Sequence, residues 1–104
     1  MQAPTTPWIV KSRFVVSYGD IALLVDTSPR RVGTVMATRG GEVSWWRVTN
    51  RNGELPAHLL PLARKQWRRE GIAHTERRCD FERHRMEPGY LAALFGDALG
   101  EFIS

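Results

Sequence analysis

Arginine and tryptophan side chains lie close together in the middle of the chain and could bind a polyanion. Trp45 is followed by Trp46 and Arg47. Arginine forms forked hydrogen bonds with phosphate, and bases stack on aromatic rings. The pattern predicts a binding face for nucleic acid or protein, and the alternative is that the two tryptophans are core or subunit contacts. The predicted face comprises Trp45, Arg47, Arg30, Arg31 and Arg51.

Three residues that could ligate a metal, His74, Cys79 and His84, are spaced five apart. Five residues turn a helix by about 140° from one side chain to the next, so the three do not share a face. Zinc sites usually contain closer pairs of ligands. The sequence therefore predicts no metal and no cofactor. A catalytic pair of Cys79 with a histidine stays open as an alternative, although no third residue is evident that would orient the base.

The acidic residues of the first half occupy turn positions and form no evident acid/base pair. Asp20 and Asp26 flank an apolar segment, while Glu42 and Glu54 lie in predicted turns. A phosphate-binding glycine loop and a nucleophile elbow are both missing from the sequence. We therefore predict a binding module with no catalytic residues rather than an enzyme.

The composition is that of one folded domain. The 104 residues are 42% hydrophobic and 25% charged, with a formal net charge of +4. Arginine supplies 13 of the 15 basic residues. No apolar run approaches the roughly 18 residues of a membrane span, and no secretory signal is visible. We expect a cytoplasmic protein that does not contact membranes.

Runs of β-branched and aromatic residues between turn residues predict short strands. The predicted strands are 8–18, 21–25, 32–38 and 43–49, and 55–60 is either a strand or a single 3₁₀ turn. Residues 1–7 are predicted to be a flexible arm. Several short strands with glycine-rich turns favour a small closed barrel, which also removes exposed strand edges.

The remainder of the chain, residues 63–104, is predicted to be a helical extension. Residues 62–70 have one-sided helical spacing, and Gly71 would end that helix. Residues 72–86 are either an exposed helix or an irregular linker. From Pro88 onward a wide apolar stripe predicts a helix that packs on the barrel or, as we favour, forms a homodimer interface. The interface residues would be Tyr90, Leu91, Leu94, Phe95, Leu99 and Phe102.

Residues 14–62 resemble an SH3-like small β-barrel. The resemblance is carried by Gly19-Asp20-Ile21, by the tryptophan pair and by Gly53-Glu54-Leu55-Pro56. In peptide-binding SH3 domains the first tryptophan and the proline line a groove, so the resemblance implies that Trp45 and Pro56 are binding residues. The additional strand around Gly33 is more similar to the KOW and Tudor-like branch, whose members bind nucleic acid or proteins.

A fainter resemblance is to the type II dihydrofolate reductases, which build one active site from four small barrels. It implies a small oligomeric enzyme as the alternative function. Our main expectation is a mainly β fold with added α-helix: an SH3-like barrel of about five strands over residues 8–62, followed by the helical extension. The predicted function is non-enzymatic binding of a protein or a nucleic acid by a homodimer.

Overall fold

Helices make up most of the chain in the computed structural model, which describes residues 13–104. The α-helices are α1 (Tyr18–Leu24), α2 (Pro29–Arg39), α3 (Leu60–Glu70), α4 (Phe81–His84) and α5 (Pro88–Ile103). The strands are β1 (Val16–Ser17) and β2 (Val48–Thr49), and the 3₁₀ turns are Gly40–Glu42, Trp45–Arg47 and Ala57–Leu59. No helix among these is long and apolar enough to span a membrane.

Side-chain caps define where α1 and α2 begin. The Ser17 hydroxyl accepts a hydrogen bond from the backbone N–H of Asp20 at 3.0 Å, and the Asp20 carboxylate accepts one from the N–H of Ser17 at 3.1 Å. This reciprocal capping box satisfies two donors at the start of α1. At α2 the cap is one-sided: the Ser28 hydroxyl accepts from the N–H of Arg31 at 3.1 Å, and Pro29 occupies the first turn.

A short turn joins α1 to α2 and lets the two helices pack together. Residues 25–28 form this connection, and Asp26 adopts a left-handed conformation in it with φ of 59°. Ile21 and Ala22 of α1 share a buried cluster with Val32 and Val35 of α2. We call α1, the turn 25–28 and α2 the helix-turn-helix, because two packed helices joined by a turn of this length have that order of elements.

The short strand β1 divides the interior into two apolar clusters. Val16 faces the cluster between α1, α2 and α5, while Val15 faces a second cluster around Trp67 of α3. Successive side chains of an extended chain point to opposite sides, and Val15 and Val16 follow this alternation. On one side β1 pairs in parallel with β2, with Val16 opposite Val48. Val15, immediately before β1, exchanges backbone hydrogen bonds with residues 84 and 86 and so forms an isolated parallel bridge with Arg85.

Two of the predicted helices are confirmed. Helix α3 ends at Gly71, whose φ of 76° is the left-handed value that glycine adopts most readily. Helix α5 has Pro88 in its first turn, and its Leu91 and Leu99 are 1% exposed in the cluster that also holds α1. The apolar stripe of α5 is therefore covered largely by the helix-turn-helix of the same chain.

Residues 72–86, for which the sequence left two interpretations open, form a tight hairpin and the short helix α4. Thr75 N–H donates to the Arg78 carbonyl at 2.8 Å, and Asp80 N–H donates to the Ala73 carbonyl at 2.8 Å. We call residues 73–80 the C-terminal hairpin. Asp80 then caps α4 by accepting from the N–H of Arg83.

The prediction of a mainly β fold and an SH3-like barrel over residues 8–62 is wrong. Within the described residues the only strands are β1 and β2, of two residues each, and they pair in parallel. Residues 21–24 of the predicted strand 21–25 lie in α1, 32–38 lies in α2, and most of 43–49 is turn. The resemblances to KOW and Tudor-like domains and to type II dihydrofolate reductases are therefore also wrong, because each of them requires a barrel. Residues 1–7, the predicted arm, and 8–12 of the first predicted strand lie outside the described residues.

Helix capping and helical spacing prevail over local β-propensity in these segments. Ile21 and Val25, and Val32 with Val35 and Met36, are three to four residues apart and therefore also fit one face of a helix. Ser17 and Asp20 have the spacing of a capping box, and Ser28 precedes a proline. These signals mark the starts of both helices, and burial of their apolar faces overrides the preference of valine for strands.

Replacing Gly53 should be strongly destabilising. Its φ is +79°, and a Cβ there would lie 2.2 Å from the carbonyl oxygen of Cys79. We expect Gly53→Ala to lower the free energy of unfolding by more than the ~1–2 kcal/mol of left-handed backbone strain alone. Gly96→Ala is the control, because a Cβ there meets nothing within 4 Å and alanine favours the helix by about 1 kcal/mol. Urea unfolding measures both, and equal stabilities would contradict the predicted clash.

The free energy of unfolding should depend on pH through Asp20, whose side chain is 2% exposed. Burial alone would raise the pKa of Asp20, but hydrogen bonds from Arg85 and from the Ser17 N–H outweigh it, and the pKa is lowered. A carboxyl group whose pKa is lower in the folded state than in the unfolded state stabilises the fold. This contribution is fully present above the unfolded-state pKa of about 3.9, and it is lost as the pH falls through the folded-state pKa.

The variant Asp20→Asn should therefore be less stable than wild type at neutral pH and lose less stability on acidification. Asp97→Asn, on the exposed side of α5, is the control and should retain the wild-type profile. Denaturant unfolding at a series of pH values measures the effect. Parallel profiles for wild type and Asp20→Asn would contradict it.

Candidate nucleic-acid interface

The outward face of α2 carries small side chains. Ala37 follows Gly33 by four residues and Thr34 by three, and all three residues are exposed or half-buried. A Cβ on Gly33 would meet nothing within 4 Å. The Thr34 hydroxyl donates to the carbonyl of Arg30 at 3.0 Å and so is directed back along the helix. Another molecule could therefore approach the backbone of α2 closely.

The three arginines of α2 have different surroundings. Arg31 donates to the carbonyl of Ile103 at 3.3 Å, and Arg39 donates to that of Phe102 at 3.0 Å. Arg39 also pairs with Glu42 at 3.0 Å. Both guanidinium groups therefore bind the C-terminal end of α5, where cations are favourable. The Arg30 guanidinium forms no hydrogen bond or ion pair within residues 13–104, so it is the arginine of α2 that is available to a ligand.

A shallow, open depression of about 550 Å³, which we call the cavity, lies beside the first residue of α1. Burial raises the pKa of Tyr18, which keeps its hydroxyl protonated and able to donate. The cavity is lined by Tyr18, Asn50, Glu54, Leu55, Pro56, Ala57, Leu60 and Arg77.

A rigid turn forms one wall of this cavity. The Asn50 side-chain oxygen accepts hydrogen bonds from the backbone N–H groups of Asn52 and Glu54, at 2.9 and 2.8 Å. Its side-chain amide donates to the Glu54 carboxylate at 2.9 Å, and this hydrogen bond lowers the pKa of Glu54. The predicted turn at residues 50–53 is thus present, and it fixes the polar groups beside Tyr18.

Comparison with protein families identifies the part of the chain that carries these features. Residues 10–72, more than half of the chain, match the model of the 6-O-methylguanine DNA methyltransferase DNA-binding domain. The chain belongs to this family. No curated protein and no solved structure matches the chain. The matched segment contains the helix-turn-helix and seven of the eight residues that line the cavity.

Membership of this DNA-binding family supports the predicted nucleic-acid partner and gives no support to a tryptophan and arginine face on a barrel. Pro56 lines the cavity, and Arg30 lies on the exposed side of α2. Arg51 is exposed at a different cavity, of about 510 Å³, beside the C-terminal hairpin. The structure therefore places the sequence-predicted binding residues at separate locations.

Trp45 and Arg47 belong largely to the interior of the DNA-binding domain. Trp45 is half-buried against the second apolar cluster, edge-on to Trp46 with ring centroids 5.8 Å apart. The Arg47 guanidinium binds the Glu70 carboxylate through both of its ends, with Nη2 to Oε2 at 2.6 Å and Nε to Oε1 at 3.0 Å. Trp46 donates to the same carboxylate at 3.1 Å, and Trp67 donates to the Trp46 carbonyl at 2.8 Å. This network attaches the 3₁₀ turn Trp45–Arg47 to α3.

The residues predicted to form a dimer interface divide into two groups. Leu91, Leu99 and Phe102 are buried in the core of their own chain, and Phe95 packs partly against it. Tyr90 and Leu94 are 63% and 54% exposed. A homodimer interface on α5 stays a prediction, and the residues on the surface to form it are Tyr90 and Leu94.

The histidines and the cysteine outside the matched segment have structural partners. His84 accepts from the Ala73 N–H at 3.0 Å, and its other ring nitrogen donates to the Arg13 carbonyl at 3.0 Å. Cys79 is 1% exposed, and burial raises the pKa of its thiol to about 11. No cluster of three or more metal-ligating side chains occurs within residues 13–104.

Sequence reasoning missed Tyr18 and Arg77 as cavity residues. A Ser-Tyr-Gly-Asp segment with the spacing of a capping box could have indicated that Tyr18 begins a helix. Arg77 is brought to the cavity by a hairpin beyond the matched segment, and no local sequence pattern signals such a long-range placement.

Removing Glu70 should destabilise the domain. The Arg47 and Glu70 side chains are 8% and 10% exposed, and loss of one member of a buried pair costs about 3–5 kcal/mol. We expect Glu70→Ala to lower the unfolding free energy by about this amount. Glu42→Ala is the control, because the Arg39–Glu42 pair is exposed and should contribute little. Equal effects of the two substitutions in denaturant unfolding would disprove the proposed importance of the network.

Proposed function

We propose that this protein binds duplex DNA through its helix-turn-helix and holds one extruded base in the cavity beside Tyr18, without transferring a group. The observation that carries the proposal is the position of Tyr18. It is the first residue of α1, and it also lines the cavity. On this basis the proposal puts the mouth of the cavity against a duplex bound by the helix-turn-helix.

The contact with the duplex is proposed to be made by α2. In helix-turn-helix proteins the second helix enters a groove of the DNA. The small residues Gly33, Thr34 and Ala37 allow its backbone to approach, and Arg30 in its first turn is available to a phosphate or a base edge. Arg31 and Arg39 hold α2 against the end of α5, so we assign them the role of orienting the helix.

The extruded base is suggested by the family, which is the DNA-binding domain of 6-O-methylguanine DNA methyltransferases. Proteins that act on one base of a duplex rotate it out of the stack into a pocket, and a damaged base is the least costly to extrude. The cavity offers an aromatic ring in Tyr18 and apolar walls in Pro56 and Leu60. The Tyr18 hydroxyl and the Asn50–Glu54 turn supply hydrogen-bonding groups.

The burial and the raised pKa of the Cys79 thiol support a function that does not include methyl transfer to cysteine. A cysteine nucleophile must be accessible and must reach the thiolate form. Cys79 is the only cysteine of the chain, lies beyond the matched residues 10–72, and is buried with its pKa raised to about 11. We therefore propose recognition of the base as the function, in agreement with the expectation of a non-enzymatic module.

Fluorescence anisotropy with two duplexes tests the proposal. One duplex contains a single 6-O-methylguanine and the other contains guanine at the same position. We expect the protein to bind both at low salt and to bind the modified duplex more tightly. Tyr18→Ala should remove most of the preference, because base stacking on an aromatic ring contributes about 1–3 kcal/mol. Tyr18→Phe should retain most of it.

Arg30→Ala should weaken binding to both duplexes and reduce the slope of log K against log salt by about 0.9, as expected for one phosphate contact. Arg83→Ala, an exposed arginine on α4, is the control for loss of one charge. Equal affinity of the wild type for the two duplexes would reject base extrusion. Absence of binding to either duplex, with the protein folded, would reject the proposed function.

A further inference from the structure

The C-terminal hairpin places an arginine in the wall of the cavity from outside the family-matched segment. Arg77 lies near its tip and lines the same cavity as Tyr18 and Pro56. The matched segment ends at residue 72. Arg77 is therefore a residue of the cavity that membership of the family does not assign.

The tip of the hairpin is held in place by several hydrogen bonds. The Thr75 hydroxyl accepts from the backbone N–H groups of Arg77 and Arg78, at 3.2 and 3.3 Å. Arg64 of α3 donates to the Glu76 carbonyl at 2.9 Å. At the base of the hairpin, Cys79 N–H donates to the Gly53 carbonyl at 3.0 Å. The backbone of Arg77 is therefore fixed relative to the cavity before any ligand binds.

The charge of Arg77 is not neutralised within the described part of the chain. Its guanidinium forms no ion pair or hydrogen bond with any of residues 13–104. Glu54, the one carboxylate that lines the cavity, accepts a hydrogen bond from Asn50, and the charge of Arg78 contributes to the lowering of its pKa. The wall at Arg77 therefore presents a positive charge that an anion could neutralise.

We propose that Arg77 binds the backbone phosphate of the nucleotide whose base occupies the cavity. This inference rests on the proposed function. The base itself is uncharged, and the phosphates are the anionic groups of DNA, to which arginine makes most of its positioning contacts. Extrusion turns the nucleotide about its backbone and carries the adjacent phosphate to the rim of the pocket. Arg77 is thus a positioning residue that acts only on the extruded nucleotide.

The experiment compares Arg77→Ala, Arg77→Lys and the control Arg83→Ala by anisotropy over a range of salt, on the modified and the unmodified duplex. On the modified duplex, Arg77→Ala should reduce the salt slope by about 0.9, the value for one phosphate. Arg77→Lys should retain the slope, because lysine also neutralises a phosphate. On the unmodified duplex the slope should be that of wild type, because no nucleotide is extruded there.

The possible failures are distinguishable. If the wild type binds neither duplex or does not prefer the modified one, the proposed function fails and the role of Arg77 fails with it. If the wild type does prefer the modified duplex but Arg77→Ala has the wild-type slope on it, only the role of Arg77 is rejected. An equal reduction on both duplexes would also overturn the inference, because the contact would not depend on extrusion. Thermal melting of each variant confirms that it is folded.

Discussion

The buried carboxylate of Asp20 is the contact on which the arrangement of the molecule depends. It accepts hydrogen bonds from the Ser17 N–H at the start of α1 and from the Arg85 guanidinium, with Arg85 Nη2 to Oδ1 at 2.5 Å. The first bond fixes where α1 begins and thereby holds Tyr18 at the cavity. The second attaches the segment after α4 to the helix-turn-helix. Removal of the charge would therefore disturb both the cavity wall and the attachment of the C-terminal third of the chain.

The arginines of this chain divide into those that hold the fold together and those that can meet a ligand. Arg85 binds a carboxylate of the core, Arg47 binds Glu70, and Arg31 and Arg39 bind the end of α5. Arg30 and Arg77 are not used in this way within the described residues. A net charge of +4 and a count of arginines could suggest a polyanionic partner, but they could not say which arginines face it.

The sequence was informative where strong local signals agree with tertiary packing. Helix α5 and the left-handed Gly71 at the end of α3 were predictable, because helical spacing and glycine position pointed the same way. The prediction of a barrel was wrong, because valine-rich segments such as 32–38 fit strand and helix patterns alike. The capping signals at Ser17 and Ser28 are more specific, and they mark the starts of the two helices. The cavity could not be predicted, because Tyr18, Pro56 and Arg77 meet only through contacts between distant segments.

The central claim is that DNA lies against the outer face of α2 and at the cavity beside Tyr18. Backbone amide NMR during titration with a short duplex containing 6-O-methylguanine tests it most directly. We expect chemical-shift changes to concentrate at Arg30, Gly33, Thr34 and Ala37 and at the residues that line the cavity, and to be small around the exposed Tyr90 and Leu94 of α5. Changes confined to α5 or to the surface around Arg51, with α2 and the cavity unaffected, would contradict it.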